Sequence, residues 1–195
     1  MNKEEEIRMA RMNLPNKLTM LRIFMIPVFV LLFSFLPADN PSAAICFILA
    51  SLTDTLDGKI ARKRNLITAF GKFMDPLADK ILTQAAFILL VGRGDIPAWI
   101  VIVIVARELL ITGFRTLAAS SGVTIAASKW GKYKTAVQML TLVLFLLRPF
   151  GLEKLMIPAS EPVTPILLYL SLILTVISGW DYLIKNKDVL DLQNI

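Results

Sequence analysis

The sequence predicts an all-α, polytopic membrane protein with six transmembrane helices, preceded by an interfacial amphipathic segment. Three observations predict it. Hydrophobic residues make up 56% of the chain and the mean hydropathy is +0.67, far from the usage of soluble domains. The apolar residues fall into six runs, all but the fifth close to the roughly 20 residues that an α-helix needs to cross the hydrocarbon layer. Basic residues crowd the connections on one side of the implied membrane and are sparse on the other.

The segment 1–17 carries Glu4, Glu5 and Glu6, then Ile7, Arg8, Met9, Arg11 and Met12. That order suits a short amphipathic helix on the membrane surface, or a frayed tail. The first span is expected at about 18–36. Its charged start invites a signal-peptide reading, but Arg22 lies inside the apolar run and no small-residue cleavage site follows, so a retained helix is expected. The turn P-A-D-N-P ends it, with Asn40 as a cap and Pro41 opening the second span, about 41–61. Asp54 lies roughly 20 Å along that span, inside a layer about 30 Å thick. The third span, about 68–91, has two possible starts. Asp75 could cap a helix with Pro76 at its first position. Alternatively the helix begins near Thr68 and kinks at Pro76, which aims Asp75 and Asp79 the same way; this second reading is preferred. The fourth span covers about 97–117. The fifth is short unless Ser128 to Lys134 belong to it, giving about 129–147. The sixth covers about 165–184.

Connections after spans one, three and five hold Arg93, Arg148 and Lys154. The other side holds Lys3, Arg8, Arg11, Lys17, Arg62, Lys63, Arg64, Lys72, Lys129, Lys132, Lys134, Lys185 and Lys187. The positive-inside rule then puts both termini and the aspartates in the cytoplasm, with the cell (plasma) membrane as location. The net charge of +6 is assigned to this face and its anionic headgroups rather than to nucleic acid. The whole chain, 1–195, reads as one membrane domain, without internal repeats or linkers. The single Cys46 and the absence of histidine exclude a disulfide framework, Ser-His-Asp triads, phosphohistidine chemistry and His-rich zinc sites.

The chemistry-bearing stretch runs from Asp54 to Asp79. It reads D-T-L-D-G-K-I-A-R, eight residues, then G-K-F-M-D-P-L-A-D. On helices, Asp54 and Asp57 share a face, and so do Asp75 and Asp79. Two carboxylates about 6 Å apart repel by about 3 kcal/mol at an effective dielectric near 20. Four of them at or below a membrane surface need protonation or a strong positive partner. All-oxygen ligation favours Mg²⁺ or Mn²⁺. Interfacial aspartates facing water are the alternative. The spacing does not fit an EF-hand loop, and no P-loop pattern is present. Arg22 and Lys185 read as snorkelling anchors, and Lys63 and Arg64 as topogenic charges.

The pattern D-x-x-D-G-x-x-A-R, eight residues, G-x-x-x-D-x-x-x-D resembles the signature of the CDP-alcohol phosphotransferases, and all eight of its defined positions match. The resemblance implies a membrane enzyme that moves a phosphatidyl or similar group from a CDP-linked donor to an alcohol. It implies two divalent cations per site, held by Asp54, Asp57 and Asp75, with Asp79 at the second metal and acting as general base. It assigns Gly58, Ala61, Arg62 and Gly71 to the CDP side of the site: room beside the nucleotide at Gly58 and Ala61, phosphate neutralisation at Arg62, close helix packing at Gly71. Asn16 and Thr19 match a further family-like element and contact the nucleotide or cap the first helix. A homodimer is also implied.

For the acceptor, Arg107 and Arg115 lie eight apart on the fourth span, about 80° around a helix, with Lys129, Lys132 and Lys134 following. Arg107, Arg115, Lys132 and Lys134 suit an acceptor with a phosphate of its own; plain anchoring is the alternative for the lysines. The runs R-E-L-L-I-T-G-F-R and S-K-W-G-K-Y-K-T resemble the members of that family that use glycerol 3-phosphate. The reaction so implied joins CDP-diacylglycerol and glycerol 3-phosphate into phosphatidylglycerol phosphate and CMP, with Glu108 orienting Arg107. Serine, an inositol phosphate or phosphatidylglycerol are alternative acceptors. A divalent-cation carrier is disfavoured, because the charges gather at one face instead of continuing across the membrane.

Overall fold

The computed structural model describes residues 14–38, 40–63, 69–120, 125, 128–150 and 160–186. Among them the chain is helical throughout, with no strand: α1 (Leu14–Phe35), α2 (Ser42–Lys63), α3 (Ala69–Arg93), α4 (Ala98–Ser120), α5 (Lys129–Leu147), a 3₁₀ turn (Arg148–Phe150) and α6 (Ser160–Lys185). Among the described residues two stretches, Lys17–Phe35 and Val163–Lys185, are long and apolar enough to cross a membrane, by length and composition. The surface segment expected before α1 lies, up to residue 13, outside the described residues.

Both open helix starts are settled. α3 begins at Ala69 and continues past Pro76, so Asp75 lies inside the helix and does not cap it. α5 begins at Lys129, because Ser128 takes an extended backbone (φ −71, ψ 154) and its Oγ accepts from Gly131 N at 3.2 Å, a side-chain N-cap. α6 begins at Ser160, earlier than the expected 165. Pro162 is tolerated there because first-turn N–H groups have no intrahelical acceptor in any case.

The chain forms two compact units, Met1–Leu89 and Leu90–Ile195. In the first, α1 and α2 form an antiparallel hairpin. Asn40 Oδ1 accepts from Ser42 N at 3.0 Å and starts α2. Phe29 is buried with its ring centroid 5.6 Å from Phe47 and 6.1 Å from Phe33. Ala43, Ala44 and Ala50 are buried on α2, small enough to let the backbones approach. The approach is close: Cys46 Sγ donates to the Met25 carbonyl at 3.7 Å. One feature of α1 corrects the sequence reading. Arg22 is 0% exposed, sharing a buried face with Thr19, Ile26 and Phe29, and so does not snorkel to the interface. Lys185 on α6 is exposed and pairs with Asp181 at 2.6 Å.

In the second unit, α5 packs along α6, and α4 against α6. The α5–α6 seam is polar. Gln138 Nε2 donates to Thr175 Oγ1 at 3.3 Å, while Ser171 and Thr175 donate back to Leu168 and Ser171 carbonyls at 2.8 and 2.7 Å. Every one of these hydroxyls is satisfied, as an apolar surrounding requires. Between α3 and α4, Gly94 takes φ 86, which suits a residue without Cβ. Gly94 N donates to Val91 O and Asp95 N to Leu90 O, both at 3.0 Å, closing α3 with a Schellman cap. Arg93 pairs with Asp95 and donates from Nη2 to Phe145 O at 3.3 Å, so it ties that turn to the end of α5.

Candidate active site

The aspartate motif lies in the first unit. The last turns of α2 carry Asp54, Asp57, Gly58, Ala61 and Arg62; the first turns of α3 carry Gly71, Asp75 and Asp79. α2 ends at Lys63 and α3 starts at Ala69. Such a short connection spans at most about 20 Å, so the motif-bearing ends of the two helices are joined ends. The side chains of Asn16, Asp54, Asp57, Ala61, Arg62 and Asp75 lie outside the described residues. Asp79 is described: it is half-buried beside Ala78 and Leu82, both 1% exposed. Its backbone carbonyl accepts the Thr83 hydroxyl at 3.1 Å. Thr19 is completely buried. The hairpin register set by Met25–Cys46 and Phe29–Phe47 puts the Thr19–Arg22 turn of α1 level with the part of α2 where the motif begins. The donor set, four carboxylates at one-turn spacings on two helices, fits a hard divalent cation.

A separate basic cluster lies in the second unit, and its side chains are described. Arg107 Nη1 donates to Glu108 Oε1 at 3.0 Å. The same oxygen accepts from Lys134 Nζ on α5. Side-chain exposures are 15% for Arg107, 13% for Glu108 and 3% for Lys134, so two cations and one carboxylate share a nearly dry site. Arg107 threads between two glycines. A methyl group at Gly179 on α6 would sit 3.3 Å from Arg107 Cγ, and one at Gly131 on α5 would sit 3.9 Å from Arg107 Nη2. Two turns further along α4, Arg115 Nε donates to the Tyr182 hydroxyl at 3.3 Å, with the guanidinium carbon 5.7 Å from the ring centroid. Tyr182 is buried against Ile111 and Phe114, edge-on to the Phe114 ring at 5.7 Å.

Of the four basic residues expected at an acceptor site, Arg107 and Lys134 are brought together, through Glu108. Arg115 is exposed and has its own partner, and Lys132 is exposed. Sequence reasoning missed Tyr182, Gly131 and Gly179, and missed that Glu108 also holds Lys134. The available signal was the Arg107–Glu108 pair inside an apolar run, since a buried cation needs a counter-charge. The glycines gave none, because their value lies in what packs against them.

Comparison with known proteins covers almost the whole chain. The family described as CDP-alcohol phosphatidyltransferase matches residues 12–177. The CDP-diacylglycerol–glycerol-3-phosphate 3-phosphatidyltransferase of Bacillus subtilis is 41% identical over 195 residues, covering 93% of this chain and 99% of its own. The protein of the same name from Haemophilus influenzae is 38% identical over 192 residues, covering 95% and 98%. A probable phosphatidylglycerophosphate synthase of Mycobacterium tuberculosis is 38% identical over 180 residues, covering 89% and 81%. With the complete aspartate pattern on α2 and α3 and a match of this extent, the chain belongs to the CDP-alcohol phosphatidyltransferase family.

Proposed function

We propose that the protein transfers the phosphatidyl group of CDP-diacylglycerol to glycerol 3-phosphate, giving phosphatidylglycerol phosphate and CMP. The observation that carries this reading is near end-to-end similarity to relatives named for that activity. The Arg107–Glu108–Lys134 cluster supports a phosphate-bearing acceptor, because fixed guanidinium and ammonium groups out of water suit a phosphomonoester.

In this reading the primary hydroxyl of glycerol 3-phosphate attacks the phosphorus that bears the diacylglycerol. The bond from that phosphorus to the bridging oxygen breaks, and CMP leaves with the oxygen. Asp79 takes the hydroxyl proton. Asp54, Asp57, Asp75 and Asp79 would hold Mg²⁺ or Mn²⁺, two per site, which when bound neutralise the pyrophosphate and the leaving oxygen. Arg62 neutralises donor phosphate, Gly58 and Ala61 leave room for the nucleotide, Gly71 lets α3 pack closely, and Asn16 and Thr19 contact the nucleotide. Arg107, Arg115, Lys132 and Lys134 hold the acceptor phosphate.

The six α-helices are assigned as six spans of one catalytic domain in the plasma membrane, with termini and site cytoplasmic and the chain a homodimer. Large apolar side chains exposed along the helices, such as Phe24, Leu31, Ile102, Leu110 and Ile173, support a lipid-facing surface. Exposed Trp99 and Trp130 stand in the first turns of α4 and α5, and exposed Trp180 in the last turns of α6, at helix ends such as those where interfacial aromatic residues gather.

The test is CMP release from CDP-diacylglycerol by purified protein, with glycerol 3-phosphate, serine, inositol phosphate and phosphatidylglycerol offered in turn. Release with glycerol 3-phosphate, abolished by chelation and restored by Mg²⁺ or Mn²⁺, is expected. Release with a different acceptor and none with glycerol 3-phosphate overturns the assignment.

A further inference from the structure

The guanidinium of Arg107 is held on one side only. Nη1 donates to Glu108 Oε1 at 3.0 Å, and that oxygen also accepts from Lys134 Nζ. Nε is buried and has no hydrogen-bond partner among the described residues. A buried N–H left without an acceptor is costly unless a ligand supplies one. The glycine at 179 lets the aliphatic stem of Arg107 lie against α6, and the glycine at 131 leaves its Nη2 beside the first turn of α5. The arginine is thus gripped at Nη1 and along its stem, and the Nε edge is what remains to offer. That side-on edge is the one with which a guanidinium takes two oxygens of a phosphate.

Glu108 makes this arrangement tolerable. Two cations so near each other, and nearly dry, repel unless an anion sits between them. One carboxylate against two cations still leaves one positive charge over, which a phosphate can match. We propose that Glu108 is a positioning residue for the acceptor phosphate: one of its oxygens holds Arg107 and Lys134 together and presents the Nε edge of Arg107 to the ligand. The proposal rests on the reading of the acceptor as a phosphomonoester. Glu108 itself does not touch substrate.

The experiment is steady-state kinetics on the purified full chain, with glycerol 3-phosphate and CDP-diacylglycerol varied separately. Glu108→Gln keeps the size of the side chain and an accepting oxygen, and removes only the charge. The KM for glycerol 3-phosphate should rise on the order of 10- to 100-fold, by analogy with the loss of groups that orient metal-ligating side chains. The kcat and the KM for CDP-diacylglycerol should stay at their wild-type values. A merely structural role would move all three together, along with the melting temperature, and that pattern overturns the proposal. Lys134→Met and the double variant complete a cycle. The double should lose less than the sum of the two single variants, since no ammonium remains for Glu108 to hold and only its grip on Arg107 is left to lose; fully additive losses overturn the proposal. The double also returns the cluster to the single net positive charge it carries in the wild type, so it reports even where Glu108→Gln fails to fold. Arg107→Ala separates the two levels of the argument. A wild-type KM for glycerol 3-phosphate in Arg107→Ala overturns the acceptor-phosphate reading and this proposal with it. A raised KM there, beside an unmoved one in Glu108→Gln, overturns the positioning role alone.

Discussion

The aspartate half and the basic half of this protein are built on different principles. On α2 and α3 the carboxylates recur at one-turn spacings within a single stretch, Asp54 to Asp79, and a connection from Lys63 to Ala69 joins the two helix ends. Proximity there follows from helical geometry and chain connectivity. The basic cluster draws Arg107 and Glu108 from α4, Gly131 and Lys134 from α5, and Gly179 from α6. Nothing in the local sequence puts those residues together; the packing of three helices does. A site made from one stretch can be recognised as a pattern, whereas an assembled site has no pattern to recognise. The two halves also differ in how charge is compensated. The aspartates concentrate one sign and call for a cation from outside. The basic cluster brings its own anion, Glu108, and leaves only part of its charge for a ligand.

Substitutions should expose that difference, and the largest effects are expected in the half that needs an outside cation. Asp54→Asn or Asp75→Asn should abolish turnover and weaken Mn²⁺ binding, while the chain still folds. Near-normal activity of both at limiting metal would remove the metal assignment and with it the contrast. Asp79→Asn should lose transfer by about 10²- to 10⁴-fold, as general bases do, yet retain CDP-diacylglycerol binding. Donor binding lost in step with turnover would make Asp79 chiefly a ligand.

Effects in the basic half should be smaller and confined to the acceptor. Arg107→Ala leaves Glu108 and Lys134 in place and strands the acceptor phosphate; a loss of about 2 to 5 kcal/mol is expected for such a broken buried pair. It should be read as kcat/KM for glycerol 3-phosphate, with donor KM unchanged. Unphosphorylated glycerol is the control, equally poor for wild type and variant. Tyr182→Phe keeps the ring against Phe114 and removes only the hydroxyl that accepts from Arg115. About 0.5 to 1.5 kcal/mol is the usual worth of one hydrogen bond, so a rise in acceptor KM of about tenfold or less is expected. A larger loss would place Tyr182 in contact with substrate. The smallest effect belongs to Gly179→Ala. Its new methyl meets Arg107 Cγ at 3.3 Å, so the arginine must give by a few tenths of an ångström. A modest rise in acceptor KM with little change in melting temperature is the expected signature. No change at all would mean that the slot around Arg107 is looser than its geometry.

Much of this was legible in the sequence. Apolar run lengths located six helices, because a segment that must satisfy its own backbone in lipid has few alternatives to a helix. Helix starts were less legible. Whether α3 began at Asp75 or before it depended on competing local signals, a cap followed by proline against a carboxylate spacing, and only the folded chain decided between them. Ser160 extended α6 beyond its apolar core, since polar first-turn residues do not register as hydropathy. Arg22 shows the other kind of failure. Its position near a helix end suggested an anchor at the interface, yet it is buried in the α1 face that carries Thr19 and Phe29; the identity of the partner helix face, not distance along the chain, set its environment.

What the sequence alone determined here is therefore what short-range physics controls. Helices form where apolar runs are long enough, and carboxylates three and four residues apart must share a face, so the aspartate motif and the class of chemistry it supports could be read before any fold was known. The tertiary structure alone decided which charges meet. Burial of Lys134, the sharing of one Glu108 oxygen by two cations, and the glycine slot around Arg107 all arise where side chains from separate helices meet. Electrostatic pairing depends on distances of a few ångströms and on the exclusion of water, and neither quantity is written in the order of residues along a single helix.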